Sequence, residues 1–425
     1  MSAGGDERAS AGAGRFAIIA ALSLAHELPS TILGQVVPTV FTARLGLPVS
    51  QLWVFSIPLV VTALKWLWAP LVDAYGSDRF GRRRSWIVPS AFVVTIFYAI
   101  VALIQPSLAT LPVLITLFVL VKIAFSTYEI ATDAYVVEAV DAQQRGLGSS
   151  AVWLGKEFGQ ILGLAGTFII VDRYGWTAAF MAVGIAFSLT VLAVLLKRER
   201  PQSDEALAAR AAGRRAQVWH YLREPVNRRV LLLTFFFAFA VQMVPATIGP
   251  FLASRGLSLS EVGIAIGLAA SLGAGLSLAA ASAVVHRIGP KRTSIILIPI
   301  GLLALPLFLW LAASENPPLG LVVGTVFLGS VCTAPVRMAF YAARMGWTSP
   351  SQIGTDFTTQ QSVWFIGYAV SIGVSGLLAS TVGWFGFFVI NALLTCTAIV
   401  IFVMSFNDID RKIAALNEPN SAAVG

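Results

Sequence analysis

The chain has 425 residues, 57% hydrophobic and only 12% charged, with a formal net charge of +8 and a mean hydropathy of +0.80. Soluble domains carry about 25% charged residues, so the composition excludes an ordinary soluble globular protein and makes the bilayer the solvent for most of the apolar side chains. The positive balance is therefore read first as membrane topology, and no nucleic-acid partner is expected.

The opening residues "MSAGGDERASAGAG" are small and polar, and no short apolar region with a cleavage site follows them. The first apolar run is thus expected to stay in the protein as a span. Twelve candidate spans follow in chain order, at 16–43, 50–73, 85–104, 110–138, 147–171, 177–196, 230–253, 260–285, 294–313, 318–343, 353–381 and 384–405. Each is long enough to cross a bilayer as a helix, which takes ~20 residues. The segment 197–229 is charged, Ala-rich and central. It divides the chain into a six-span bundle at 1–196, a central loop at 197–229, and a second six-span bundle with a short tail at 230–425. Cys332 and Cys396 both lie in apolar spans and read as small buried hydrophobes rather than a disulfide or metal pair. No metal site is expected.

Lysines and arginines orient the spans. The N-terminus, the 2–3, 4–5, 6–7, 8–9 and 10–11 loops and the tail together hold 22 of them. The opposite loops hold three, Arg44, Arg173 and Arg255, and Lys65, Lys122, Lys156 and Arg337 lie inside spans. This asymmetry predicts that both termini are cytoplasmic.

The two halves echo each other. "LVDAYGSDRFGRRRSW" precedes the third span, and "VVHRIGPKRTSI" stands in the same place before the ninth, without the aspartate. A basic 2–3 loop repeated as a basic 8–9 loop, with a long loop between halves, resembles the major facilitator superfamily. That resemblance implies an all-α membrane fold of two six-helix bundles, with substrate bound near the midplane between them. It also implies a latch at the mouth of the 2–3 loop made by Asp73, Gly81, Arg82, Arg83 and Arg84; the plainer reading is that these arginines only set topology. More narrowly, "LKWLWAPLVDAYGSDRFGRRRSW" is similar to the signature of the AmpG-like group, which includes muropeptide permeases and the RhtX/FptX siderophore importers and is related to acetyl-CoA transporters. "EIATDAYVVEAVDAQQRGLGSS" at 129–150 and "GTDFTTQQSVWFIGY" at 354–368 extend the similarity. It implies a monomeric carrier in a bacterial inner membrane that imports a small molecule or glycopeptide. It implies no cofactor beyond a proton gradient. The siderophore side of the group is the first expectation and a muropeptide the alternative.

Ionisable residues inside spans are costly and mark function by default. His26 and Glu27 lie about ten residues, or ~15 Å, into the first span. Glu129 in the fourth span and Lys156 and Glu157 in the fifth are at similar depth. Lys122 lies two turns to the outer side of Glu129 and Asp133 one turn to the inner side, on one helix stripe. Spans 3, 6, 9 and 12 carry no charge, as expected of the lipid-facing helices in the implied fold. The carboxylates read either as a mutually neutralising network, with Lys156 pairing Glu129 or Glu27, or as a proton site. On the second reading Glu129 is the first candidate, then Glu27, then Asp133, with His26 also able to serve. In the second half, Gln242 and Thr247 are polar cavity candidates. Arg337 is expected either to take an anionic substrate group or to pair with Asp356, and Trp364 and Tyr368 read either as an aromatic wall for a ring-bearing ligand or as packing alone.

An enzyme is not expected. "GVSG" at 373–376 matches a short rhomboid-protease motif, but the base of such an enzyme follows its serine, and the histidines at 26, 220 and 286 all precede it. His26-Glu27 opens a zinc-protease motif that fails at Ser30. A non-transporting receptor on the same fold is the remaining class; it predicts that the cavity carboxylates are replaceable without effect.

Overall fold

The computed structural model describes residues 3–77, 79–139, 145–196, 218–348 and 353–417. Among them every regular element is helical. Nine stretches are long and apolar enough to cross a membrane. Two of these are double, because Gly175 (φ 86°) and Gly383 (φ 72°) break the helices Thr167–Leu192 and Ile353–Asn417. Gly289 (φ 79°) likewise divides Ala270–Leu302, whose second part joins Leu305–Ala313 as a further span. The described residues thus hold twelve transmembrane helices in the expected order. A backbone hydrogen-bonded within each helix is the arrangement that lipid permits.

The breaks repeat between halves. Gly175-Trp176 turns the fifth span into the sixth and Gly383-Trp384 the eleventh into the twelfth. Gly81 (φ 108°) and Gly289 sit at the matching 2–3 and 8–9 turns. Only glycine reaches such angles without a Cβ clash, so these four positions carry the internal duplication more directly than the basic clusters do.

Some boundaries differ from expectation. The seventh helix begins at Pro225, which is favoured in a first turn, so Arg228 and Arg229 ride on the helix rather than in the central loop. A short helix, Val218–Arg223, precedes it. The rest of that loop, 197–217, lies outside the described residues. Arg344 is also misplaced by a loop reading. It belongs to the last turn of the helix Leu319–Gly346 and is only 2% exposed.

Small residues let the first and fifth helices touch. Gly155, Gly159 and Gly163 recur every four residues along one face and lie against Ala20, Leu24 and Thr31. A methyl group at Gly159 would stand 2.5 Å from the Leu24 carbonyl and 2.9 Å from Cβ of Glu27. Without a hydrophobic drive between helices in lipid, such close approach supplies the van der Waals contact that holds them. It also fixes the register at which Glu27 meets Lys156.

π-helical turns occur at Ile32–Val36, Leu162–Gly166 and Ile264–Ala269, in the first, fifth and eighth spans. The turn in the fifth span packs against each of the other two, and its contact with the eighth-span turn crosses between the halves. On the arginine-poor side the halves are tightly apposed: Thr39 packs on Gly249, and Trp53 on Gly373.

Candidate functional site

Lys65 owes its position to a local irregularity. The helix Ile57–Leu64 tightens into a 3-10 turn at Lys65–Leu67 and resumes at Ala69 ahead of Pro70, which has no amide to donate. The turn aims the lysine at the fourth helix. Its Nζ lies 3.5 Å from Oε2 of Glu129, while Nε2 of His26 is 3.3 Å from Oε1. Glu129 is 2% exposed. Lys122, equally buried, lies 4.9 Å over the Phe125 ring and is a further cationic neighbour of Glu129. Burying a charge in lipid is tolerated when it is paired. Here two basic groups contact one carboxylate and a third stands near it.

Glu27 turns the other way. Its Oε1 is 3.9 Å from Nζ of Lys156 on the fifth helix. His26 and Glu27 are adjacent in sequence but about 100° apart around the helix, so one faces the fourth span and the other the fifth. Of the two pairings the sequence left open for Lys156, contact with Glu27 is the one that forms. Next along, Glu157 has Glu27 and, across the seam, Arg337 as its charged neighbours. Its Oε2 is buried without a hydrogen-bond partner. Asp133 is exposed and has Lys65, Lys156 and Glu129 around it. Tyr341 of the tenth helix faces Lys156 and Asp133 from the opposite half.

The second half departs further from expectation. The ionic neighbour of Arg337 is Glu157, not Asp356. Asp356 is buried and engaged. Trp364 and Tyr368 do not form one wall. The guanidinium of Arg344 lies 5.0 Å over Trp364, while the Tyr368 hydroxyl packs on Gly34 of the first helix. Arg344 is enclosed by Phe340, Tyr341, Phe357 and Trp364, and its Nη2 donates to Oε1 of Gln361 at 2.9 Å. Sequence reading missed this residue because a basic side chain next to a loop reads as topology; the aromatics at 340, 341, 357 and 364 were the available signal. Oε1 of Gln242 is buried without a partner, whereas Thr247 donates to its own helix at Met243.

At the 2–3 turn, Arg83 and Arg84 are 5% and 7% exposed and both are engaged, as is Arg82. The side chain of Asp73, and Asp78, lie outside the described residues. Among the described residues no cluster of His, Cys, Asp and Glu is arranged to hold a metal.

A family model described as the Major Facilitator Superfamily matches residues 11–332 and, a second time, 230–422. The chain is similar to an anhydromuropeptide permease of Escherichia coli (strain K12), 22% identical over 404 residues that cover 92% of this chain and 79% of the permease. It is also 22% identical to the putative transporter AmpG 4 of Rickettsia felis, over 86% of this chain and 90% of that protein. Among solved structures it resembles a bacterial homolog of the human lysosomal transporter Spinster, with a TM-score of 0.63 and 18% identity over 95% of each chain. It also resembles the xylose transporter XylE from E. coli, at TM-score 0.68 and 15% identity over 94% of this chain and 98% of that one. At such identities the solved structures bear on fold alone.

Proposed function

The chain belongs to the Major Facilitator Superfamily and groups with its AmpG-like members. From that premise we propose that it is a proton-coupled carrier that imports an anhydromuropeptide, a sugar bearing an anionic peptide. It works as a monomer in a bacterial inner membrane, with both termini cytoplasmic, and uses the proton gradient rather than a cofactor. It is a carrier and not an enzyme. Residues 1–196 and 230–425 are the two moving halves, and 197–229 links them.

The substrate reading is carried by the similarity to the E. coli permease, which extends over 92% of this chain. The geometry agrees with it. Lys156, with Asp133 near it, and Glu157 in one half face Tyr341 and Arg337 in the other. A ligand bound between the halves therefore meets cations on both sides, and Arg337 suits a carboxylate. This moves the preference from a siderophore, the first expectation from sequence, to a muropeptide.

For the proton, the geometry favours Glu27 and Glu157 over Glu129. The charge of Glu129 is already matched by Lys65, with His26 and Lys122 beside it. Glu27 has one lysine at 3.9 Å and an acidic neighbour. When substrate occupies Lys156 or Arg337, that pair of carboxylates is left short of countercharge, and taking up a proton restores the balance.

Uptake by proteoliposomes with an imposed pH gradient tests the proposal. Labelled anhydromuropeptide should accumulate and collapse with a protonophore, and ferri-siderophore should not. Accumulation of the siderophore alone would restore the other reading, and transport of neither would favour a receptor on this fold.

A further inference from the structure

The surface carries a feature apart from the cavity charges. At the basic ends of the seventh and twelfth helices, Asp408 binds Arg229 at 3.1 Å and Lys412 at 2.7 Å, and all three side chains are well exposed. Directly beneath them a groove of about 510 Å³ runs between the two helices. Its walls are Leu232, Leu233 and Phe236 on one side and Ile401, Met404 and Ile409 on the other. Leu232 and Met404 are 70% and 76% exposed. Arg411 is a further cationic neighbour of Asp408, and exposed Arg228 and Asp410 adjoin Arg229 and Arg411 in sequence, so this stretch holds four cations to two carboxylates.

We propose that this groove is a binding site for an anionic phospholipid of the leaflet on the side of the chain termini. The phosphate meets Arg229 and Lys412, and an acyl chain lies along Phe236 and Met404. Three observations choose this occupant. First, the mouth has a cationic surplus, and basic pockets between transmembrane helices select anionic headgroups. Second, the groove runs from charge into hydrocarbon: Arg229 to Phe236 is seven residues, about 10 Å along a helix, which is the passage from headgroup to upper acyl chain. Third, Asp408 holds both cations at the rim without cancelling them. A free phosphate satisfies only the first. The groove and the charges are independent of the central cavity, so this proposal does not rest on the choice of substrate.

The test uses the full chain, purified in detergent, delipidated and then titrated with phosphatidylglycerol, phosphatidylethanolamine or inorganic phosphate. Retained lipid is read by native mass spectrometry. Phosphatidylglycerol should be retained in preference to phosphatidylethanolamine. The double variant Arg229→Gln/Lys412→Gln should bind it about tenfold or more weakly, since each basic group at a membrane surface contributes roughly a factor of five. Ser405→Trp, which fills the groove and leaves every charge in place, should also lose the lipid, and it serves should the double variant not fold. Equal retention by wild type and both variants overturns the proposal. So does retention of both lipids alike, competition by inorganic phosphate at equal concentration, or a stable dimer that protects Leu232 and Met404 from labelling in place of lipid.

Discussion

Asp172, at the turn between the fifth and sixth helices, accepts two hydrogen bonds from Ser260 of the eighth. The hydroxyl donates at 2.6 Å and the backbone amide at 3.1 Å. The other oxygen of Asp172 holds Arg44 at 2.5 Å. One carboxylate thus ties the two halves together on the arginine-poor side, beside the Thr39–Gly249 and Trp53–Gly373 contacts. A carrier that alternates must break this tie each cycle.

The first prediction follows. Asp172→Asn keeps the shape but weakens charge-assisted bonds that are roughly twice as strong as neutral ones. It should shift the population toward the state open on the arginine-poor side by about 1–2 kcal/mol. Thr39, fully buried against Gly249, reports the change. Thr39→Cys should react with a membrane-impermeant maleimide severalfold faster when Asp172→Asn is also present. Equal rates would show that the tie does not govern opening.

The second concerns helix contact. Gly159→Ala puts a methyl 2.5 Å from the Leu24 carbonyl, so the first and fifth helices must move apart. Gly275→Ala meets nothing within 4 Å and is the matched control. The Gly159 variant should lower the melting temperature in detergent by several degrees, and it should impair uptake because Glu27 and Lys156 share that contact. The control should match wild type in both measurements.

The span count, the two-half plan and which ionisable residues lie inside spans could be read from sequence because each depends on composition along the chain. The pairings could not. Whether Lys156 meets Glu27 or Glu129 depends on how the first and fifth helices rotate, and that is set by glycines whose only property is to be small. Lys65 read only as a lysine inside the second span; its contact with Glu129 follows a 3-10 turn before Pro70 that the sequence does not announce. Arg344 fell on the wrong side of the count because proximity to a loop and burial in an aromatic cage look alike in one dimension.

Arg344 provides the third prediction. A topology signal tolerates lysine, whereas a guanidinium stacked among four aromatic rings does not, since lysine has no plane to stack. Cation–π contacts of a desolvated group are worth about 2 kcal/mol or more. Arg344→Lys should therefore lower thermal stability measurably while leaving the orientation of the chain unchanged in a terminal-tag accessibility assay. A silent Arg344→Lys would return this residue to the loop.

The fourth separates two carboxylates that sequence reading ranked in the other order. Glu129 has Lys65 at 3.5 Å, His26 at 3.3 Å and Lys122 near. Glu129→Gln removes one charge from a buried set and leaves its cations uncompensated, which costs about 3–5 kcal/mol. Its expected signature is loss of folded protein, with uptake and counterflow falling together. Glu27 is less enclosed, with a single lysine at 3.9 Å. Glu27→Gln should insert and fold, lose accumulation driven by a pH gradient, and keep counterflow, which moves no net proton. Glu157→Gln should behave in the same way if the two carboxylates share the proton, and Lys156→Gln should depress binding instead, by removing a cation from the substrate side. All four variants are compared at equal membrane levels after a fluorescence size-exclusion check of folding. If Glu129→Gln folds normally and loses only the gradient-driven step, the proton belongs to Glu129, and the contacts of Lys65 and His26 hold a working acid rather than a fixed countercharge.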